Sequence, residues 1–284
     1  MRKDKKKKVL IILSFIVCLM ISIVLHGLWC NKALTVTEIN IESNQLPSSF
    51  NGFKIAHISD LHNEEFGKEN EHLISMLENC MPDIIVITGD IIDSYDTNID
   101  VSLKFVKKAI EIAPCYYVSG NHESRIEDFK DMESKMEGMG VIVLKNESTT
   151  IQKGEDRITI AGLEDLAFYE TYLLEEESNV ENKLKETLKK REEFVLLLSH
   201  RPELFEMYVK EDVDVIFSGH AHGGQIILPL IGALFAPNQG LFPTYTSGVY
   251  SENNTNLVVS RGLGNSLIPL RINNCPEIVL VTLN

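Results

Sequence analysis

Five apolar runs in this 284-residue chain end in polar residues of one kind, and that recurrence narrows the fold more than any other feature. Phe53–Ser59 runs into Asp60-Leu61-His62, and Ile84–Thr88 runs into Gly89-Asp90 with Asp93 close behind. Tyr116–Ser119 leads to Gly120-Asn121-His122-Glu123, and Phe194–Ser199 ends at His200, followed by Arg201-Pro202-Glu203. Val213–Ser218 leads to Gly219-His220-Ala221-His222-Gly223-Gly224. Runs such as Ile84-Ile85-Val86-Ile87 and Phe194–Leu198 fit strands buried on both faces. In an α/β domain, ligands collect at the carboxyl ends of strands, so five strands can deliver His, Asp and Asn to one edge. Five of the eight histidines lie in these tips.

The rest of the chain alternates in the same way, without internal repeats or a Pro/Gly/Ser-rich linker after residue 35. Further strands are expected at Val36–Ile41, Val141–Leu144, Arg157–Ala161, Leu257–Ser260 and Glu277–Leu283. Helices are expected at Glu69–Cys80, Val101–Ile112, Ile126–Met139, Val180–Glu193 and Pro202–Lys210. This alternation predicts an α/β domain with helices over the sheet faces. Ser148–Ala161, with Lys153-Gly154-Glu155-Asp156 between its arms, reads as a hairpin that makes the sheets mixed. The acidic stretch Glu170–Glu193 reads as a solvated helical face and its loop.

Residues 9–30, VLIILSFIVCLMISIVLHGLWC, carry no charge. As a helix they would span roughly 33 Å, enough for a hydrocarbon core of ~30 Å. Six basic residues and Asp4 precede them and only Lys32 follows closely, which predicts a cytoplasmic N-terminus. The run is longer than a signal-peptide core and lacks a small-x-small cleavage site. Cys30 follows the bulky Trp29, which does not suit lipid processing. Residues 1–8 thus read as a basic cytoplasmic tail, 9–30 as a transmembrane signal-anchor, and 31–284 as an extracytoplasmic domain with its core at 53–284. The tail holds five net positive charges, so a chain charge of −14 leaves −19 on residues 31–284. So acidic a domain does not hold nucleic acid by a basic surface, and its tether to an anionic membrane must be apolar.

Neutral imidazole, carboxylate and amide oxygen without thiolate suit borderline and hard divalent cations. Asp60-x-His62 and His220-x-His222 each place alternate side chains on one side of an extended segment. Seven candidate ligands among these tips exceed one tetrahedral ion and suit two ions sharing a carboxylate. Two such ions clamp the attacking and leaving oxygens of an in-line displacement at phosphorus. Manganese, zinc and iron all accept this set. His26, His57 and His72 lie in the anchor, within a strand and on a helix, and are read without a metal role.

Together, Asp60-x-His62, Gly89-Asp90-x-x-Asp93, Gly120-Asn121-His122-Glu123, His200 and Gly219-His220-x-His222 resemble the calcineurin-like metallophosphoesterase superfamily over roughly residues 53–284. Ser199-His200-Arg201-Pro202, Gly219-His220-Ala221-His222-Gly223-Gly224-Gln225 and Ser260-Arg261-Gly262-Leu263-Gly264 resemble its bacterial membrane-associated phosphodiesterase branch, similar to UDP-2,3-diacylglucosamine hydrolase-like proteins. The resemblance implies a four-layer sandwich, two mixed β-sheets flanked by helices, here preceded by one transmembrane helix. It implies a first metal on Asp60, His62, Asp90 and His222, and a second on Asp90, Asn121, His200 and His220. It leaves His122 as a non-ligand facing the leaving group, with Asp93, or secondarily Glu123, orienting the imidazole and favouring its charged form. The implied reaction is attack of a metal-bridging hydroxide on a phosphate ester.

The favoured reading is a membrane-anchored phosphodiesterase acting on a lipid-linked or envelope-polymer phosphate ester. The alternatives are a phosphomonoesterase or protein phosphatase on the same site, or a non-catalytic metal-binding envelope scaffold, against which His122 and Asp93 argue. Arg261 is a candidate substrate contact, with a salt-bridged arginine as its alternative, and Arg125 and Arg201 rank behind it. Ile226–Phe235 with Leu241-Phe242 is read as a buried strand or loop in preference to a lipid-contacting lip. Cys80, Cys115 and Cys275 read as small buried hydrophobes, because three cysteines at wide spacing give no disulfide framework.

Overall fold

In the computed structural model, which describes residues 2–169, 176–265 and 270–284, the apolar runs form strands whose alternate side chains enter two different cores. The strands are β1 (Thr35–Ile41), β2 (Phe53–Ile58), β3 (Ile84–Thr88), β4 (Cys115–Val118), β5 (Ile142–Val143), β6 (Glu147–Lys153), β7 (Asp156–Gly162) and β8 (Val195–Leu198). They continue as β9 (Val215–Ser218), β10 (Ile227–Leu228), β11 (Gly232–Ala233), β12 (Phe235–Ala236), β13 (Gly240–Leu241), β14 (Gly248–Glu252), β15 (Thr255–Val259) and β16 (Glu277–Leu283). The helices are α1 (Arg2–Cys30), α2 (Glu71–Cys80), α3 (Ile99–Ala109), α4 (Phe129–Met139), α5 (Glu176–Thr187) and α6 (Phe205–Lys210).

Two six-stranded sheets carry the domain, ordered β1-β16-β2-β3-β4-β5 and β14-β15-β9-β8-β7-β6. Both are mixed. The first is parallel except where β16 meets β2, and the second has antiparallel edges at β14–β15 and β6–β7. Period-two alternation explains their packing. Ile84 and Val86 enter the core between the sheets with Leu196, Leu198, Val215 and Phe217. Ile85 and Ile87 face outward onto Leu73 and Leu77 of α2 and Phe105 and Val106 of α3. On the other flank, Val195 and Leu197 pack against Leu184 of α5 and Phe205 and Tyr208 of α6. The result is the expected four-layer arrangement. Parallel β2, β3 and β4 in one sheet, and β8 and β9 in the other, bring their carboxyl ends to one edge.

The helix α1 is long and apolar enough to cross a membrane. Two expectations are corrected at its end. Cys275 is not a lone buried hydrophobe: it forms a disulfide with Cys30. The pairing spans 245 residues and becomes possible because β1 and β16 run parallel with Thr35 opposite Glu277. Residues 226–242 are not a buried strand or loop either. They form the hairpins β10–β11 and β12–β13, on which Leu230, Ile231, Leu241 and Phe242 are exposed. Of the acidic stretch 170–193, residues 170–175 lie outside the described residues.

Candidate metal centre

Each tip begins where a strand stops, and the backbone there is bent hard. Asp60, His62, Asp90, His220 and His222 all adopt positive φ, between 46° and 64°. Non-glycine residues rarely do so, and such strain clusters at functional sites. The bends are held by main-chain bonds between tips. The Asp60 N–H donates to Gly89 O at 3.1 Å, His62 N–H to Asp90 O at 3.0 Å, and Gly219 N–H to His200 O at 3.2 Å. Gly219 must be glycine for contact reasons, since a Cβ there would lie 1.9 Å from Ser59 Oγ and 2.2 Å from Asp60 Oδ2.

The converging side chains form two buried clusters. In the first, His62 Nε2 and His222 Nε2 are 3.2 Å apart, with Asp60 Oδ1 3.3 Å from His222 Nε2 and Asp90 Oδ2 3.7 Å from His62 Nε2. In the second, His200 Nε2 lies 3.1 Å from His220 Nδ1 and 3.2 Å from Asp90 Oδ2. Asp90 faces both. The other ring nitrogens orient these imidazoles. His200 Nδ1 is 2.6 Å from the Thr88 carbonyl, which can only accept, so Nδ1 carries a proton and Nε2 is aimed at Asp90 and His220. His220 Nε2 lies 2.9 Å from Asn238 Oδ1 and 3.4 Å from Arg201 Nη1, which turns its Nδ1 toward His200. Ligand atoms of Asp90, His200 and His220 thus converge within 4.8 Å of one another in a buried space, an arrangement that a cation among them would satisfy. Asn121 Oδ1 is also buried and has no hydrogen-bond partner. The donor set therefore fits divalent ions.

Electrostatics agree with that reading. Burial, with Arg201 and His200 adding, pushes His220 down to about 3, and burial pushes His62 down to about 4. Both are neutral imidazoles, the ligating form. Burial opposes charge on His200 as well, yet Asp90, Asp60 and Asp165 push it up to about 10. The carboxylates demand positive charge at this point. Two dications would dominate that field.

His122 stands beside these clusters and lines a cleft of about 570 Å³ together with Asn121, Arg125, Tyr169, Arg201 and Asn238. Its Nδ1 accepts the Ser94 N–H at 3.1 Å, so Nε2 bears the proton. Asp93 Oδ1 is 3.6 Å from Nδ1, beyond hydrogen-bond range, and accepts instead from Tyr95 N–H at 2.8 Å. Burial outweighs Asp90 and Asp93, so the His122 pKa is lowered from its usual value. Glu123 does not reach this ring. Fully buried, it accepts the N–H groups of Asp90, Ile91 and Gly120 at 2.9, 2.9 and 2.7 Å, tying two tips together. Burial, with Asp90 adding, pushes it up to about 8.

Arg261 lies outside the cleft lining. Its N–H donates to Glu277 Oε1 and its guanidinium is 3.7 Å from Glu277 Oε2. Arg201 occupies the cleft, clamped on both oxygens of Asp165 at 2.7 and 2.8 Å. Ser94 and Asn238 are functional neighbours that the sequence reading missed. Ser94 follows Asp93 directly and was within reach of it, whereas Asn238 lies in a distant hairpin with no local signal.

Residues 53–224 match the family described as Calcineurin-like phosphoesterase. The chain is 32% identical over 259 residues to the uncharacterized metallophosphoesterase YkuE of Bacillus subtilis (strain 168), covering 88% of this chain and 85% of that protein. It is 27% identical over 237 residues to the phosphodiesterase YaeI of Escherichia coli (strain K12), covering 81% and 82%. The crystal structure of TT1561 of Thermus thermophilus shares the fold, with a TM-score of 0.52 at 13% identity over 74% of this chain and 90% of that one.

Proposed function

Since the chain belongs to the calcineurin-like phosphoesterase family, a family of metal-dependent phosphoester hydrolases, we propose that it is a membrane-anchored two-metal phosphodiesterase. The observation that carries this is Asp90, the carboxylate that faces both buried clusters of ligand atoms. In this reading, Asp60, His62, Asp90 and His222 hold one ion, and Asp90, Asn121, His200 and His220 hold the other. When bound, the pair supplies Lewis acidity toward a phosphoryl oxygen and activates water for in-line attack. His122 donates its Nε2–H to the departing oxygen, and Ser94 fixes that tautomer from behind. Asp93 shapes the loop that presents Ser94. Arg201 has its charge met by Asp165, which suits a monoanionic diester better than a dianionic monoester. Similarity to the phosphodiesterase YaeI supports the same choice.

Residues 9–30 serve as the anchor, with residues 31–284 as the hydrolase on the extracytoplasmic side. The Cys30–Cys275 disulfide supports that side, because disulfides persist in oxidising compartments. The test uses the full chain in detergent, loaded with manganese, on bis(p-nitrophenyl) phosphate and p-nitrophenyl phosphate. The expected result is faster turnover of the diester, abolished by chelator. Preference for the monoester would overturn the diesterase reading, and chelator-insensitive turnover would overturn the metal role.

A further inference from the structure

Residues 226–242, IILPLIGALFAPNQGLF, contain no charged residue in a domain that is otherwise strongly acidic. Their two hairpins are stitched together, with the Leu234 N–H donating to Ile226 O and the Phe242 N–H to Leu234 O. Among the described residues their outer side chains stand largely exposed: Leu230 fully, Leu241 72% and Phe242 64%. Leu230 also holds a φ of 69° at its hairpin tip, where turn chemistry favours glycine or asparagine. A large apolar residue at a strained, exposed tip works against folding in water and calls for another environment.

The place of the hairpins in the fold supplies that environment. The Ile227 N–H donates to Ile272 O at 3.0 Å and Asn273 Nδ2 to Ile227 O at 3.1 Å, fixing the first hairpin to segment 270–275. The same segment grips the end of α1. Arg271 N–H donates to Asn31 Oδ1 at 2.8 Å, Cys275 is bonded to Cys30, and Leu270 lies so close to Gly27 that a Cβ there would approach to 2.5 Å. Segment 270–275 also supports the metal centre, since Asn274 Nδ2 donates to His222 O at 2.6 Å. On the other side, the β12–β13 turn supplies Pro237 and Asn238 to the cleft wall, and Asn238 meets His220. The end of the membrane helix, the apolar hairpins and the mouth of the cleft thus form one connected unit.

We propose that the two hairpins insert into the leaflet from which α1 emerges, and that the substrate is a bilayer lipid with a phosphodiester headgroup, hydrolysed without leaving the membrane. This rests on the diesterase reading above. The oxygen of a water bonds to phosphorus, the P–O bond to one alcohol breaks, and one of that water's protons ends on the departing oxygen, which the His122 Nε2–H stabilises by a hydrogen bond. The products are an alcohol and a phosphate monoester, one of them still in the bilayer.

The test has two arms, both on the full chain reconstituted in phosphatidylcholine/phosphatidylglycerol vesicles. The chain has a single tryptophan, so Trp29→Phe with Phe242→Trp makes the hairpin the only indole reporter. Lipids brominated on their acyl chains should quench that indole by more than half, and unchanged emission would overturn insertion whatever the activity. In the second arm, Leu230→Asp with Ile231→Asp should lower phosphatidylglycerol hydrolysis at least tenfold while soluble bis(p-nitrophenyl) phosphate stays within twofold. Equal loss on both substrates, or loss on neither, would overturn the lipid-substrate proposal, as would a wild type that hydrolyses only the soluble diester. A wild type inactive on both diesters would instead refute the diesterase reading, with the quenching arm still deciding insertion.

Discussion

Replacing Glu123 should dismantle the metal centre from beneath, although the residue offers no atom to a metal in the proposed ligand sets. Its Oε2 accepts the N–H groups of Asp90 and Gly120, and its Oε1 accepts that of Ile91, all inside a fully buried site. Glu123→Gln keeps the shape but supplies one acceptor oxygen, so an amide N–H2 must face at least one main-chain N–H. One buried donor left unmatched costs about 1–3 kcal/mol. Glu123→Ala orphans three donors, which bounds the loss at roughly 3–9 kcal/mol, reduced where water enters the space. The upper half of that range approaches the whole stability of a domain. Urea unfolding of the full chain in micelles, with bound metal counted in parallel, measures both effects. The glutamine variant should lose about 1–3 kcal/mol and bind metal more weakly, and the alanine variant should retain no stoichiometric metal. An alanine variant with full metal content and stability within about 0.5 kcal/mol of wild type would refute the reasoning.

Other consequences are as direct. Gly219→Ala forces a methyl group onto Ser59 and Asp60 and should destabilise by about 1–3 kcal/mol while weakening metal binding; unchanged melting and metal content would contradict the close approach. Buried His57, hydrogen-bonded to Thr88 Oγ1 at 2.7 Å, is pushed down to about 3 by burial. Its folded pKa lies below the unfolded value of 6.5, so stability present above pH 6.5 is lost as pH falls toward 3. Between pH 6.5 and 5, wild type should lose roughly 2 kcal/mol more than His57→Gln, and parallel urea midpoints would show otherwise. Thiol titration in denaturing detergent should find three reactive groups before reduction and all five cysteines after it, and five before reduction would exclude the Cys30–Cys275 bond.

What could be read in the sequence was what local pattern determines. Ile84–Ile87 showed a strand apolar on both faces, and the structure gives each face its own core. The tips showed which side chains would meet, because strand ends in an α/β sheet share an edge. Three features were hidden because they depend on contacts between distant parts of the chain. Cys30 and Cys275 meet only because β1 and β16 pair in parallel. Glu123 sits next to His122 in sequence, but its carboxylate turns to the backbone of the neighbouring tip. The apolar run 226–242 would look the same as a core strand or as a bare hairpin, since composition carries no information about what covers it. Arg261 was singled out by a signature-like string, and its 3.7 Å approach to Glu277 on β16 is another contact that no local pattern announces.

Counting the ions that Asp90 holds together tests the shared-carboxylate centre most directly. Elemental analysis of the full chain, purified with manganese and freed of loose metal, should give two ions per wild-type chain. For Asp90→Asn, which weakens the carboxylate that faces both clusters, it should give fewer than one. A wild type that retains a single ion, or an Asp90→Asn chain that still retains two, would contradict the shared-carboxylate centre.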